Sequence, residues 1–532
     1  MSGSLADIIG GYLDLHWRIH PVDATHAGRR ELDGEYGRWD AASVREHIAA
    51  LRSYTSALEE APAESLDEEI DRTAVLQDAR HELLVLERER PFAFNPAFHL
   101  SHALEGLFLL MVRDERPAEH RAAALLSRLR ALPELLRVAR EVLTQPARPL
   151  VALAGAMLPG GVALVRDGLD DPALDLSSLE PLELAQARKE AVDALTEFGG
   201  ALDEMAERAA EDRWAIGRDL FDRKLHTAHL IRESADELLR YGERLYAEAI
   251  AELERIAAEI SPGTPWPELV AQLRADTPAP GTVLEEYAEA LRAARDFTVE
   301  HALMRVPPAE LRVVATPAFL RALVPIAAYQ GPGAFDQRQL GTFFVTLPEP
   351  GQPWRAASRA ELPSTVVHEG VPGHHEQIVV GNALPSVVRR VIGTPATREG
   401  WAVYSEALMA EVGFLHSPAE RLLHARHRLW RALRVVLDVS LHTKGMSVGE
   451  AARRLRDEVG LEPAAAAAEA ARYCAYPTYQ LCYAVGCREI ARLRDDARLA
   501  SGDAFSLAAF HDELLSYGAL PTALARWGMG LA

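Results

Sequence analysis

Apolar residues recur every three or four positions along most of the chain, with polar and charged residues between them. The pattern dominates residues 41–260, which are rich in Ala, Leu, Glu and Arg, and it is clearest in residues 119–143. This spacing gathers the apolar side chains on one face of an α-helix, so it predicts a long succession of helices. Clusters of Pro and Gly predict inter-helix turns at 145–149, 159–161, 261–265 and 277–281.

Two short segments follow a different pattern. Residues 311–316 and 342–347 are rich in β-branched and aromatic side chains, and Pro and Gly bound them. These features are typical of strands, and we expect both segments in one small sheet. From residue 363 to the end of the chain the helical spacing returns. The sequence therefore predicts a mainly α fold with a small β-sheet.

Composition and charge exclude several classes of protein. The 532 residues are 48% hydrophobic and 25% charged, which is usual for a globular protein and excludes a disordered chain. The net charge of −21 repels phosphate backbones and anionic headgroups, so we expect neither nucleic acid nor a membrane as partner. The most apolar segment, residues 150–165, contains Pro159 and is shorter than the roughly 20 apolar residues of a transmembrane helix.

The cysteines and the first residues of the chain bear on the cellular compartment of the protein. Cys474, Cys482 and Cys487 lie in one stretch without a CxxC pair, which excludes both a disulfide framework and a four-thiolate zinc site. The first 20 residues carry acidic side chains where a signal peptide needs an apolar run. Together these features predict a cytoplasmic protein.

The richest group of metal-binding side chains is the segment STVVHEGVPGHHEQIV, residues 364–379. In the HExxH helix, two histidines one turn apart bind zinc and the Glu between them acts as general base. Here a regular helix would place His375 two turns, about 10.5 Å, from His368, which is too far for one ion. Because the intervening Pro-Gly pair can break the helix, His374 can return toward His368. We therefore favour His374 over His375 as the second ligand.

The next helix supplies candidates for a third ligand. The segment TREGWAVYSEALMAEVG, residues 397–413, places Glu399 and Glu406 seven positions apart, on one helical face. Glu399 follows His374 by 25 residues, a separation that allows a second helix to return alongside the first. We predict Glu399 as the ligand, while Glu406 could replace it or orient a histidine.

Two later segments offer groups for an oxyanion or a substrate. VVLDVSLHTKG, residues 435–445, sets Asp438 and His442 one turn apart, at which spacing a carboxylate can fix a histidine tautomer. ARYCAYPTYQLCYAVG, residues 471–486, holds Arg472 and four tyrosines among which spacing does not choose: Tyr473, Tyr476, Tyr479 and Tyr483. An Arg-rich helix nearby carries three histidines that we expect at the surface: His416, His424 and His427.

These motifs in combination resemble a known family. HEGVPGHHEQ, EGWAVYSE, LDVSLHTKG and RYCAYPTYQLCYAVG, followed by residues 505–521, are similar to the successive signatures of the bacterial domain-of-unknown-function 885 (DUF885) family. Members of that family are placed among the gluzincin-type zinc metallopeptidases. The resemblance implies a metallopeptidase-like fold with the small sheet beside an active-site cleft. It also implies one catalytic unit over residues 1–532, with a helical half to about residue 300 and a metal-site half from about 301.

The resemblance also assigns roles. It implies that His368, His374 and Glu399 hold one zinc ion per chain and that Glu369 is the general base. The pair Arg472-Tyr473 is similar to the Arg-Tyr pair of angiotensin-converting-enzyme-like dipeptidases, which implies that Tyr473 stabilises the oxyanion. The remaining candidates are His442 as a second oxyanion group, Arg472 and Tyr483 at the substrate, and His375, Glu406 and Asp438 as alternative ligands or groups that orient the ligands.

The function expected from these residues is zinc-dependent hydrolysis of peptide bonds, in short peptides, by a metal-activated water and a Glu base. The strand 342–347 could align an extended peptide along its edge. Two alternatives remain open. One is a metal-dependent amidohydrolase for a small non-peptide amide, and the other is a non-catalytic helical binding protein with a vestigial metal site.

Overall fold

The computed structural model of the protein describes residues 4–112, 116–171, 174–317, 321, 324, 326–347 and 357–531. Helix makes up 71% of the structure, and the described strands form one three-stranded sheet. The predicted mainly α fold with a small β-sheet is therefore confirmed. Serine side chains start several helices, and Ser4 and Ser417 each form a capping box with the acidic residue three positions later.

The described α-helices follow one another along almost the whole chain. They are α1 (Leu5–Ile19), α2 (Pro21–Ala27), α3 (Ala41–Glu60), α4 (Leu66–Leu84), α5 (Pro96–Val112), α6 (Ala118–Val142), α7 (Arg148–Arg166), α8 (Pro181–Arg208), α9 (Gly217–His229), α10 (Ala235–Ile260), α11 (Trp266–Arg274), α12 (Val283–Glu300), α13 (Leu362–Glu369), α14 (His374–Asn382), α15 (Val387–Val391), α16 (Pro395–Glu411), α17 (Pro418–Thr443), α18 (Val448–Val459), α19 (Pro463–Ala475), α20 (Cys482–Ser501), α21 (Leu507–Leu515) and α22 (Thr522–Gly528). The predicted turns near 145, 261 and 277 fall between helices.

The predicted turn at 159–161 is wrong, because α7 continues through it. Pro159 lies inside the helix, and Gly161 packs so closely on Leu104 that no side chain would fit. By length and composition, Arg148–Asp170 is long and apolar enough to cross a membrane, which was not predicted from the sequence. Its inner face, however, lies in a hydrophobic core with Leu104.

The sheet has the strand order β1 (Glu310–Ala315), β3 (Leu340–Val345), β2 (Ala327–Gln330). β1 pairs with β3 in parallel, and β2 pairs with β3 antiparallel. The two predicted strands match β1 and β3 within two residues, while β2 escaped prediction. Because β3 is the central strand with both edges occupied, the predicted pairing of a peptide along 342–347 is wrong.

The chain divides into two compact units. Unit 1 comprises Met1–Ile216, Pro317–Leu323 and Phe335–Arg338, and α5 to α8 form its main core. Unit 2 comprises Gly217–Thr316, Val324–Ala334 and Gln339–Ala532, and it contains the sheet. The division falls at residue 216 rather than near 300, because α10 packs along α17 in unit 2. That the whole chain acts as one catalytic unit stays a prediction.

Candidate metal centre

The helix that carries the first histidine breaks as the Pro-Gly pair predicted. α13 ends at Glu369 and α14 begins at His374, so four residues form the link between them. A Cβ atom on Gly373 would collide with the carbonyl oxygens of Val367 and His368, so only glycine allows the link to fold back this closely. The fold brings the rings of His368 and His374 to 4.8 Å between centroids, with their planes at 84°.

Both histidines face one carboxylate oxygen. Oε2 of Glu399 lies 3.8 Å from Nε2 of His368 and 3.5 Å from Nε2 of His374. Ligand atoms about 2.1 Å from a tetrahedral zinc are separated by about 3.4 Å, so these distances fit one ion and leave a fourth position open. Within the described part of the chain, these three residues are the one group of His, Cys, Asp or Glu side chains whose ligand atoms lie close enough together to hold a metal.

Glu399 reaches this position because α16 and α20 cross in backbone contact. A Cβ on Gly400 would lie 2.5 Å from the carbonyl carbon of Gly486, and one on Gly486 would collide with the carbonyl oxygen of Ala396. The crossing brings the segment before α20 beside Glu399. There the Tyr479 hydroxyl donates a hydrogen bond of 2.7 Å to Oε1 of Glu399, the oxygen turned away from the histidines.

A buried carboxylate orients His368 from behind. Oε1 of Glu406 lies 2.6 Å from Nδ1 of His368, so the opposite ring nitrogen faces His374 and Glu399. Arg431 donates two hydrogen bonds to Glu406, of 2.6 and 2.8 Å, and Ser364 donates a third of 2.9 Å. Of the two roles that the sequence left open for Glu406, the structure supports the orienting one.

The ionisation of the carboxylates suits cation binding. Burial alone would raise the pKa of Glu406, but Arg431 and the hydrogen bond with His368 hold that pKa well below its usual range. Burial also opposes ionisation of Glu399, yet His374 and His368 hold the pKa of Glu399 at about 2. Although burial lowers the pKa of His374, Glu399 and Glu369 raise it overall. A cation entering here would therefore meet the ionised carboxylate of Glu399 and displace a proton from His374.

Glu369 lies beside the cluster without belonging to it. It is half-buried at the end of α13, and its charge contributes to the raised pKa of His374. It also contributes, after burial, to the raised pKa of Tyr329 on β2. Glu369 is therefore close enough to His374 and to Tyr329 to influence the ionisation of both.

His375 points elsewhere. Its Nδ1 lies 2.9 Å from the Tyr329 hydroxyl, and burial together with Arg295 lowers its pKa to about 4. The side chain is packed against the sheet rather than directed at Glu399. The structure therefore brings His374 into the cluster and leaves His375 out of it, in line with the preference drawn from the sequence.

Two predicted oxyanion groups are engaged in other contacts. The Tyr473 hydroxyl is fully buried and accepts hydrogen bonds from Trp430, at 3.2 Å, and from Arg434, at 3.0 Å. His442 is buried, and its Nε2 lies 3.1 Å from the backbone oxygen of Tyr473. Its nearest approach to Asp438 is 3.9 Å, too long for the predicted tautomer-fixing hydrogen bond. Both side chains support the packing of α17 against α19.

Asp438 holds the segment that carries Tyr479. Its two oxygens accept hydrogen bonds from the backbone N–H groups of Thr478, at 3.2 Å, and Leu481, at 3.1 Å. Burial raises the pKa of Asp438 to about 7, although these backbone donors oppose the shift. Asp438 is therefore neither a metal ligand nor the partner of His442, but it fixes the turn that presents Tyr479 to Glu399.

The two residues predicted to contact substrate lie in different surroundings. Arg472 pairs with Glu469 at 2.8 Å and is partly exposed. The Tyr483 ring lies 6.1 Å from the Tyr479 ring, and the Arg434 guanidinium stands 4.6 Å above it. The negative charge of Glu399 contributes, after burial, to the raised pKa of Tyr483, so Tyr483 borders the cluster.

Some residues that surround and support the predicted ligands were not predicted from the sequence. Arg431 gave no signal beyond its place in an Arg-rich helix. The prediction that His424 is at the surface is wrong, because it is buried with Nδ1 3.4 Å from Glu406. His427 is only partly exposed, with Nε2 3.8 Å from Glu361, whereas His416 is exposed as expected. The acidic partner of His424 lies on α16 and that of His427 immediately precedes α13, so no local pattern reveals them.

Comparison with known proteins identifies the family. A family model described as bacterial protein of unknown function (DUF885) matches residues 21–529. The chain belongs to the DUF885 family. No curated protein matches the chain in sequence.

Two solved structures are similar in fold to this chain. A protein from Shewanella oneidensis is 22% identical, with a TM-score of 0.79, over 99% of this chain and 100% of its own. A protein from Colwellia psychrerythraea is 19% identical, with a TM-score of 0.83, over 99% of this chain and 98% of its own. At these identities the likeness shows a shared fold and carries no information about activity.

The comparison also corrects the predicted compartment. Both similar structures are described as a "putative lipoprotein", a description that contradicts a cytoplasmic location. The cytoplasmic prediction is therefore wrong. It rested largely on three unpaired cysteines, of which Cys474 and Cys482 are buried. Buried thiols of this kind act as small apolar side chains and say little about the redox state outside the protein.

Proposed function

We propose that this DUF885 protein is a zinc-dependent peptidase of the gluzincin type, with a metallopeptidase-like fold. The observation that carries the proposal is the convergence of two histidine nitrogens and one Glu399 oxygen, with Glu369 adjacent and free to act as a base. Two histidines, one carboxylate and an open fourth position are typical of catalytic rather than structural zinc sites. When bound, zinc would activate a water molecule and polarise a carbonyl group.

The residues of the chain divide the remaining work. Glu369 accepts the proton of the attacking water and passes it to the leaving amine. Glu406, itself held by Arg431, keeps the His368 ring in register, and Tyr479 does the same for Glu399. Tyr483 borders Glu399, whereas the Tyr479 hydroxyl already donates its proton to Glu399, so Tyr483 is better placed than Tyr473 to donate to a developing oxyanion.

The sheet suggests how a peptide would be aligned. In the described structure the outer edge of β2 pairs with no other strand. Tyr329 of β2 lies near Glu369, so a peptide added to this edge would pass beside the general base. We therefore propose that β2, rather than residues 342–347, aligns the peptide. The substrate is a peptide in extended conformation.

Substitution of the base tests the proposal. Zinc-loaded Glu369→Gln should keep its metal and its melting temperature, but lose peptide hydrolysis by about 10²–10⁴-fold. A mixed library of short peptides, read by mass spectrometry, supplies the substrates. Glu450→Gln, which changes an exposed carboxylate on α18, serves as the matched control and should remain active.

Full activity of folded, metal-loaded Glu369→Gln would contradict the proposal. Cleavage of small non-peptide amides without cleavage of any peptide would transfer the same residues to the amidohydrolase alternative. Failure of the wild-type protein to bind zinc at all would leave the non-catalytic alternative in place.

A further inference from the structure

A cavity lies in unit 2 between α12 and β1. It has a volume of about 250 Å³, and we call it the α12–β1 groove. Leu291, Leu311 and Val313 form its aliphatic walls, and Arg292, Arg295 and His375 supply its polar groups. The volume is smaller than the roughly 300–1,000 Å³ of pockets for drug-sized ligands, so an occupant must be small.

Arg292 is exposed and Arg295 is half-buried, and neither guanidinium group is paired with a carboxylate of the described residues. In the described structure no carboxylate lies within 4.0 Å of Arg292 or Arg295, although more than twenty other arginines form such pairs. Arg295 makes only a long hydrogen bond of 3.4 Å, to the backbone oxygen of Ala309. Two unpaired guanidinium groups at one cavity favour an anionic occupant.

His375 provides a second, independent indication of a ligand. Its side chain lines the groove and is only 2% exposed. Nδ1 contacts the Tyr329 hydroxyl, but Nε2 has no hydrogen-bond partner in the described structure. An unpaired polar atom at such a depth destabilises the fold, and a ligand oxygen that reached it would relieve that cost.

We propose that the α12–β1 groove binds a small aliphatic monocarboxylate. The carboxylate lies between Arg292 and Arg295 within reach of His375, and the hydrocarbon body packs on Leu291, Leu311 and Val313. The aliphatic walls distinguish this ligand from inorganic phosphate, which would gain nothing from them. The groove is lined by Val371 and His375, which lie on either side of His374 in the sequence, but by none of the three predicted ligands, and the proposal does not depend on the proposed hydrolysis.

Calorimetric titration of the full-length protein with hexanoate tests the site. We expect one binding site, with hexanamide, the neutral analogue, binding at least about tenfold more weakly. The double variant Arg292→Gln/Arg295→Gln should lose hexanoate binding by a similar factor or more. Arg240→Gln/Arg244→Gln, which removes two exposed arginines on α10, is the control for the change in net charge and should bind as the wild type does.

A second variant tests the walls separately. Leu311→Glu places a carboxylate in the groove from the half-buried edge strand β1, and it should abolish hexanoate binding without loss of melting temperature. Titration with N-acetyl-leucine shows whether the natural acid is a peptide C-terminus or a free aliphatic acid, since the better of the two probes identifies the source. Equal binding of hexanoate and hexanamide, equal binding of inorganic phosphate, or binding that survives the double variant would overturn the proposal.

Discussion

Two buried groups of histidines and carboxylates can be compared in this protein, one in each unit. In unit 2, His368 and His374 direct their Nε2 atoms at one oxygen of Glu399. In unit 1, His20 lies 3.2 Å from Glu82, and the Tyr12 hydroxyl donates a hydrogen bond of 2.5 Å to Asp78. The two groups contain similar residue types, but the side chains of the unit 1 group form separate hydrogen-bonded pairs.

The difference lies in where the lone pairs point. In unit 1 each carboxylate has its own donor, and the mutual attraction of His20 and Glu82 overcomes burial, raising the pKa of His20 to about 9 and lowering that of Glu82 to about 2. In unit 2 Glu406 and Tyr479 occupy the outer atoms of His368 and Glu399, so the inner atoms of these two residues and Nε2 of His374 are directed at one point that a cation could fill. The two groups therefore differ in whether their ligand atoms converge on one point, and not in their residue types.

The largest expected effect is on metal content. Zinc measured by mass spectrometry on protein purified without a tag or chelator should fall from about one ion per chain to almost none in His368→Ala, because tetrahedral binding needs all three protein ligands. His20→Ala removes a histidine of the other group and should keep its zinc. Equal zinc in both variants would erase the distinction between the groups.

A smaller loss is expected when the orienting carboxylate is changed. Glu406→Gln cannot hold the His368 ring as a charged acceptor, so zinc affinity should fall by about 10–100-fold in competition with a chromophoric chelator. Glu82→Gln is the matched change in unit 1 and should leave the affinity unaltered. An unchanged affinity in Glu406→Gln would mean that packing alone orients His368.

The next effect separates two tyrosines that the sequence could not rank. Tyr479→Phe removes the hydrogen bond to Glu399 and should weaken zinc binding by about tenfold, the lower end of the value of one hydrogen bond to a charged group. Tyr473→Phe should leave zinc affinity unchanged, because its hydroxyl serves Trp430 and Arg434. The reverse order in the same chelator assay would restore the role first expected of Tyr473.

The smallest effect concerns stability in unit 1. Because the folded pKa of His20 is raised to about 9, its contribution is complete below its unfolded pKa of about 6.5 and is lost as the pH rises through 9. The free energy of unfolding of the wild type relative to His20→Gln, from urea denaturation, should therefore fall by about 1–3 kcal/mol between about pH 6 and pH 9.5. A difference that stays constant with pH would show that the pair is not ionised.

The parts of the site that follow from local pattern were predictable. The Pro-Gly pair after His368 indicated the helix break and hence His374, and the spacing of EGWAVYSE placed Glu399 on the returning helix. The support was not predictable, because it joins distant segments: Arg431 reaches Glu406 across 25 positions, and Asp438 fixes the turn of Tyr479 from another helix. β2 escaped for a similar reason, since AAYQ is a weak strand that exists through pairing with β3.

The contact of α16 with α20 has a consequence for how this family can vary. Gly400 and Gly486 meet with no room for a methyl group, and neither touches a ligand atom of the cluster. Replacement of Gly486 by alanine, the gentlest change available, would nevertheless push Glu399 away from the histidines. Natural variation and engineering should therefore be more restricted at this glycine pair than at many residues nearer the chemistry, and an inactive descendant could retain every predicted ligand.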